Sequence, residues 1–185
     1  MEMKEFYYQD GLRVSVFNLD HKSVPYHYHN EVSDMVYCAR GQITIELPDT
    51  RESFTIDPGQ VFQVPHPSKH RFVNSAPPGS PARYVLLQIG TFDIHFLPAA
   101  KEIAGQFAGR AAIHVDDAAV YIENRKGDIL QLAARFERDQ PEALTGEERD
   151  DVVSALRALA ARGIQDAHPS AGAAQRALPR SAPIA

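Results

Sequence analysis

Two histidine-bearing blocks lie between Pro25 and Asn74, and together they fit one four-ligand metal site. The first block reads Tyr26-His27-Tyr28-His29, followed by Asp34 and Gly41. The second opens at Gly59 and runs through Pro65 to His70 and Asn74. Residues two apart on a β-strand point to the same face, so His27 and His29 can grip one ion together. Asp34 on the returning strand and His70 on a later one complete a shell of three imidazoles and one carboxylate. No other part of the chain proposes chemistry so directly.

The residues around these blocks alternate between short strand-like runs and turn signals. Arg13-Val14-Ser15-Val16-Phe17 and Met35-Val36-Tyr37-Cys38 are two such runs. Ile43, Ile45 and Leu47 alternate with polar neighbours just after Arg40-Gly41, where glycine permits a tight turn. Ser53 to Ile56 leads into Asp57-Pro58-Gly59, and Val61 to Val64, His70 to Val73 and Arg83 to Ile89 continue the series. Regular short strands separated by turns favour an antiparallel barrel or sandwich.

The spacings resemble the two motifs of the cupin superfamily, small antiparallel β-barrels that hold a metal. The first family motif is a Gly, His-x-His, an acid, and a second Gly; His27, His29, Asp34 and Gly41 fall on it, while the leading Gly is missing. In the second motif Gly59, Pro65, His70 and Asn74 match, and Pro67 stands where a Gly is usual. Asp34 replaces the commoner Glu. The resemblance implies a mainly β fold, an antiparallel barrel of the cupin or jelly-roll type with C-terminal α-helices. It also implies one divalent metal on His27, His29, Asp34 and His70. Being a methylene shorter, Asp34 either coordinates directly or holds a water or a ligand histidine.

Beyond the barrel the period changes. The barrel domain is expected over 1–95, a helical extension over 96–165 and a disordered tail over 166–185. Leu97 to Phe107 reads as a short helix between Pro98 and Gly109. Ile129, Leu132, Ala133 and Phe136 make an amphipathic stripe. Thr145 and Glu148 form a capping-box pair ahead of the stripe Val152, Leu156 and Leu159. These stripes cover either the barrel or the partner in a homodimer. The Ala-, Pro- and Ser-rich tail has too little apolar mass to offset its ordering entropy.

Composition excludes several functions. A formal charge of −5 without a basic cluster argues against a nucleic-acid partner. No apolar run is long enough to span a membrane, and none of signal-peptide length opens the chain. The single cysteine, Cys38, fits a reducing compartment, so a cytoplasmic location is expected.

Imidazoles with a carboxylate suit Fe2+, Zn2+, Mn2+, Ni2+ or copper and fit calcium poorly. Open coordination positions serve an iron dioxygenase, and equally a non-redox cyclase, lyase or isomerase that polarises a carbonyl or enolate oxygen. A small-molecule sensor is a third class. The resemblance favours Fe2+ and an oxidoreductase, a dioxygenase acting on a small-molecule substrate. Other residues have lesser roles. Glu31 is the rival carboxylate, and its expected place is a solvated loop. His66, between two prolines, sits at the barrel mouth as an acid–base candidate. Tyr26 and Tyr28 should face away from the metal. Cys38 should line the cavity as a small apolar residue, with Val36, Phe72, Val85 and Leu87 as further walls. His21, His95, His114 and His168 carry no ligand spacing.

Overall fold

Residues 1–20 and 23–164 are described by the computed structural model of the chain. Ten strands come first: β1 (Glu2–Gln9), β2 (Leu12–Leu19), β3 (His27–Tyr28), β4 (Val32–Arg40), β5 (Ile43–Leu47), β6 (Glu52–Ile56), β7 (Val61–Gln63), β8 (Arg71–Asn74), β9 (Ala82–Gly90) and β10 (His95–Phe96). Then follow α1 (Ala100–Gly105), β11 (Ile113–His114), β12 (Val120–Tyr121), α2 (Lys126–Arg138), α3 (Gly146–Arg162) and β13 (Gly163–Ile164). The expected disordered tail over 166–185 lies outside the described residues, as do His21 and His168.

The strands form two main sheets. One runs β1-β2-β9-β4-β7 and is antiparallel throughout; the other runs β11-β6-β5-β8, with only β11 parallel to its neighbour. Their facing sides share one apolar cluster. Phe17, Val36, Cys38 and Leu86 come from the first sheet, and Ile43, Ile45, Phe54, Ile56 and Phe72 from the second. The chain is therefore mainly β with antiparallel sheets and C-terminal helices, as expected.

The five-stranded sheet is buried on its other face too. Val14, Val16, Met35, Val85 and Leu87 pack there against Ile129, Leu132 and Phe136 of α2 and Val152, Leu156 and Leu159 of α3. Both helical stripes are thus packing faces turned onto the chain's own sheet. Thr145 Oγ1 accepts the Glu148 N–H, and the Glu148 carboxylate accepts the Thr145 N–H, so the capping box opens α3. The helix expected from Leu97 to Phe107 is helical only over Ala100–Gly105, none of whose residues is buried. Without an apolar face against the sheets, nothing extends it.

Burial on both faces also corrects the expected cavity walls. Asp34 stands opposite Gln88, Val36 opposite Leu86 and Cys38 opposite Tyr84. Directly opposed residues share a face, so Tyr84, Leu86 and Gln88 point inward, while Val85 and Leu87 point at the helices. A strand buried on both sides reads as a nearly continuous apolar run, and its parity cannot be told from alternation. Val36 and Phe72 do face the interior. Gly41 shows why its motif position needs glycine: φ is +73°, and a Cβ would stand 2.8 Å from the Pro81 carbonyl oxygen. Among the described residues no helix is long and apolar enough to cross a membrane.

Candidate metal centre

His27, His29, Asp34 and His70 converge at one point, and all four are buried. One ligand atom from each lies within 4.8 Å of all the others. His27 and His70 are placed by each other. The His27 N–H donates to His70 O at 3.0 Å and the His70 N–H to His27 O at 2.8 Å, an isolated bridge between the two motif blocks. His29 follows β3 directly, and Asp34 enters from β4, where its backbone oxygen accepts the Val64 N–H at 2.9 Å.

Each imidazole is oriented from behind. Nδ1 donates to the Pro25 carbonyl in His27 (2.7 Å), to Asp93 O in His29, and to Ser68 O in His70 (2.9 Å). A carbonyl only accepts, so Nδ1 carries the proton in all three, and Nε2 is the atom left to bind. In His70 that atom is 3.1 Å from Asp34 Oδ2. In His29 it is 3.2 Å away but poorly aligned, and it is buried with no hydrogen-bond partner. A buried nitrogen lone pair facing a carboxylate calls for a cation between them. The donor set fits a divalent transition ion on this observation.

The electrostatics agree. Burial alone would raise the Asp34 pKa, yet His29 and His70 hold its carboxyl far below the usual range. Burial also lowers His27, helped by the charge of His70, to about 4, so His27 is neutral at physiological pH. His29 behaves oppositely: burial pulls it down, but Asp34 and then Asp93 raise it above an ordinary imidazole.

Two supporting residues escaped the sequence reading. Gln88 Nε2 donates to Asp34 Oδ1 at 2.7 Å; its only local signal was a polar residue inside the apolar run Val85 to Ile89. Asp93, whose carbonyl holds His29, also accepts the Asn30 and Glu31 N–H groups at 2.7 and 3.0 Å through its carboxylate. It thereby pins the loop after β9 over the first motif.

The remaining candidates separate cleanly. His66 is exposed and lines the cleft above Asp34 and His70, together with Val32, Val64, Pro65 and Ser68. The cleft holds about 10 Å³, room for roughly one water. Glu31 is exposed and outside the cluster. Cys38 faces the inner core as a small apolar residue, and burial pushes its thiol up to about 12. Tyr26 turns away from the cluster, as expected, but is fully buried: its hydroxyl donates to Glu46, and the Arg71 guanidinium lies 4.4 Å above its ring. Tyr28 stacks on His95 at 4.9 Å.

No protein-family model and no curated protein matches the sequence. Among solved structures, a cupin-like protein from Thermotoga maritima is similar with a TM-score of 0.48 and 13% identity, over 58% of this chain and 85% of that one. The polyketide cyclase RemF from Streptomyces resistomycificus gives 0.42 and 20%, over 56% and 73%. A structure of the DMSP lyases RdDddP and RnDddQII gives 0.41 and 18%; it aligns with 49% of this chain, which spans only 46% of its length. At the level of the fold the chain resembles the cupins, in its motif spacing and in its paired antiparallel sheets.

Proposed function

We propose that this chain is a metal-dependent cupin enzyme acting on a small organic substrate, and that it works as a mononuclear iron(II) dioxygenase. One observation carries the reading: three buried imidazoles, each tied by Nδ1 to a backbone carbonyl, turn Nε2 toward one ionised carboxylate. His27, His29, His70 and Asp34 would hold the ion. When bound, it supplies Lewis-acid and one-electron chemistry at an oxygen function of the substrate.

The chain's own residues do the rest. The backbone carbonyls keep the histidines in one tautomer, and Asp34 offsets part of the ion's charge. Val32, Val64 and Pro65 give the cleft beside the candidate ligands an apolar lining. Metal analysis of protein purified without chelators, paired with oxygen uptake on candidate substrates, tests the proposal. Bound iron with substrate-dependent oxygen consumption supports it; metal-free protein sinks it.

His66 favours a second reading. An exposed imidazole lining the cleft beside the candidate ligands is placed for proton transfer, which a non-redox lyase, cyclase or isomerase needs. Turnover without oxygen that His66→Ala abolishes would select it.

A further inference from the structure

Arg13, Gln88 and Asp34 stand side by side across three neighbouring strands. Arg13 on β2 is opposite Gln88 on β9, and Gln88 is opposite Asp34 on β4. Opposed residues share a face, and this is the inner one. All three are buried. The Gln88 amide nitrogen donates to Asp34 Oδ1 at 2.7 Å, and its oxygen accepts from Arg13. A guanidinium has donors only, so it can meet only the oxygen end of that amide. The flipped amide would set NH₂ against the guanidinium and an oxygen against the carboxylate. Arg13 thus leaves Gln88 one orientation, with its donor toward Asp34.

The arginine is itself held in place. Its Nε donates to Glu5 at 2.8 Å, and its guanidinium lies 4.2 Å from the Phe92 ring centroid. Phe92 precedes Asp93, the residue whose carbonyl orients His29. Arg13 therefore touches the support of Asp34 and the chain neighbour of the residue that supports His29.

We propose that Arg13 and Gln88 are positioning residues of the metal centre: Arg13 fixes the Gln88 amide, and Gln88 occupies Asp34 Oδ1 so that Oδ2 alone is presented to the ion. This rests on the metal reading above. It adds that Asp34 binds through one oxygen and that its geometry is set from strand β2, more than one residue away from the ion.

Co(II) serves as the probe, since its visible absorption reports the donor set. Gln88→Leu should lower Co(II) affinity by ~10–100-fold, the range for partners outside the coordination shell, and alter the spectrum. Gln88→Glu keeps the shape and the Arg13 contact but replaces the donor facing Asp34 with an acceptor; it should lose affinity at least as far, even if Gln88→Leu folds poorly. Arg13→Met should cause a smaller loss and add little in the Gln88→Leu background, because both act on one route. Arg13→Lys, still a donor, should recover most of it. A Gln88→Glu protein with unaltered affinity and spectrum overturns the proposal, and so do fully additive Arg13 and Gln88 losses. An unaltered protein that takes up no Co(II) overturns the metal reading, and this inference with it.

Discussion

His27 and His70 hydrogen-bond each other through their backbones, in both directions, so two candidate ligands 43 positions apart in the chain are fixed before their side chains are considered. This separates binding from folding. In His70→Ala the reciprocal bonds remain, since they use no side-chain atom. We expect near-native circular dichroism and a metal affinity reduced by more than the ~100-fold upper range for supporting partners. Equilibrium dialysis against a chelator series measures it. Full occupancy in His70→Ala would remove His70 from the site.

Asp34 carries the negative charge of the cluster and is enclosed by Gln88, His29 and His70. Asp34→Asn keeps its shape without its charge, so metal affinity should fall and the His29 pKa should drop, because Asp34 raises it more than Asp93 does. Histidine NMR titration of the ion-free variant reads the second effect. Although the cupins usually have Glu here, Asp34→Glu should bind less well than the unaltered protein. Asp34 Oδ2 already stands 3.2 Å from His29 Nε2 and 3.1 Å from His70 Nε2, so the extra methylene drives the carboxylate against both rings, and overpacking costs ~1–3 kcal/mol. Affinity equal to or above the unaltered protein would show that the rings yield.

The four candidate ligands were legible because their signal is local: a strand alternation at His27 and His29, then two fixed spacings. The capping box at Thr145 and the stripe through Ile129 and Phe136 were legible for the same reason. What supports the ligands was not. Arg13 and Gln88 are 75 positions apart, and Gln88 and Asp34 are 54 apart, so their contacts depend on strand register, which no local period carries. The same gap misplaced Val85 and Leu87. β9 is apolar on both faces because helices cover one and the second sheet the other, and only the pairing with β4 tells which face is which. The shortened α1 is a different failure, where start and stop signals were present but a buried face was missing.

Metal uptake should release a proton from His29. His29 holds its proton more tightly than an ordinary imidazole, chiefly against the pull of burial and because of Asp34. His27 is already neutral above about pH 4 and contributes none. Affinity should therefore fall as pH drops and His29 protonates. Calorimetry at pH 7 in buffers of different ionisation enthalpy counts the protons. A binding enthalpy independent of buffer would mean that no proton leaves the site.

Glu148 should make the ion-free fold acid-sensitive at a place remote from the cluster. Its carboxylate is buried, caps α3 through the Thr145 N–H, and accepts from Lys4 at 2.9 Å and Asn18 at 3.0 Å, which ties the helix to β1 and β2. Burial alone would raise its pKa, but these donors bring it from 4.5 to about 2. A carboxylate with a lowered folded-state pKa stabilises the fold when ionised. That stabilisation is complete above about pH 4.5 and is lost as pH falls toward 2. Its size is on the order of 3 kcal/mol. Urea unfolding of the ion-free protein at pH 7 and pH 3 should show the loss. Glu148→Gln, which keeps an acceptor for Lys4 but no charge, should begin less stable and lose less on acidification. Parallel losses in the two proteins would place the acid sensitivity elsewhere.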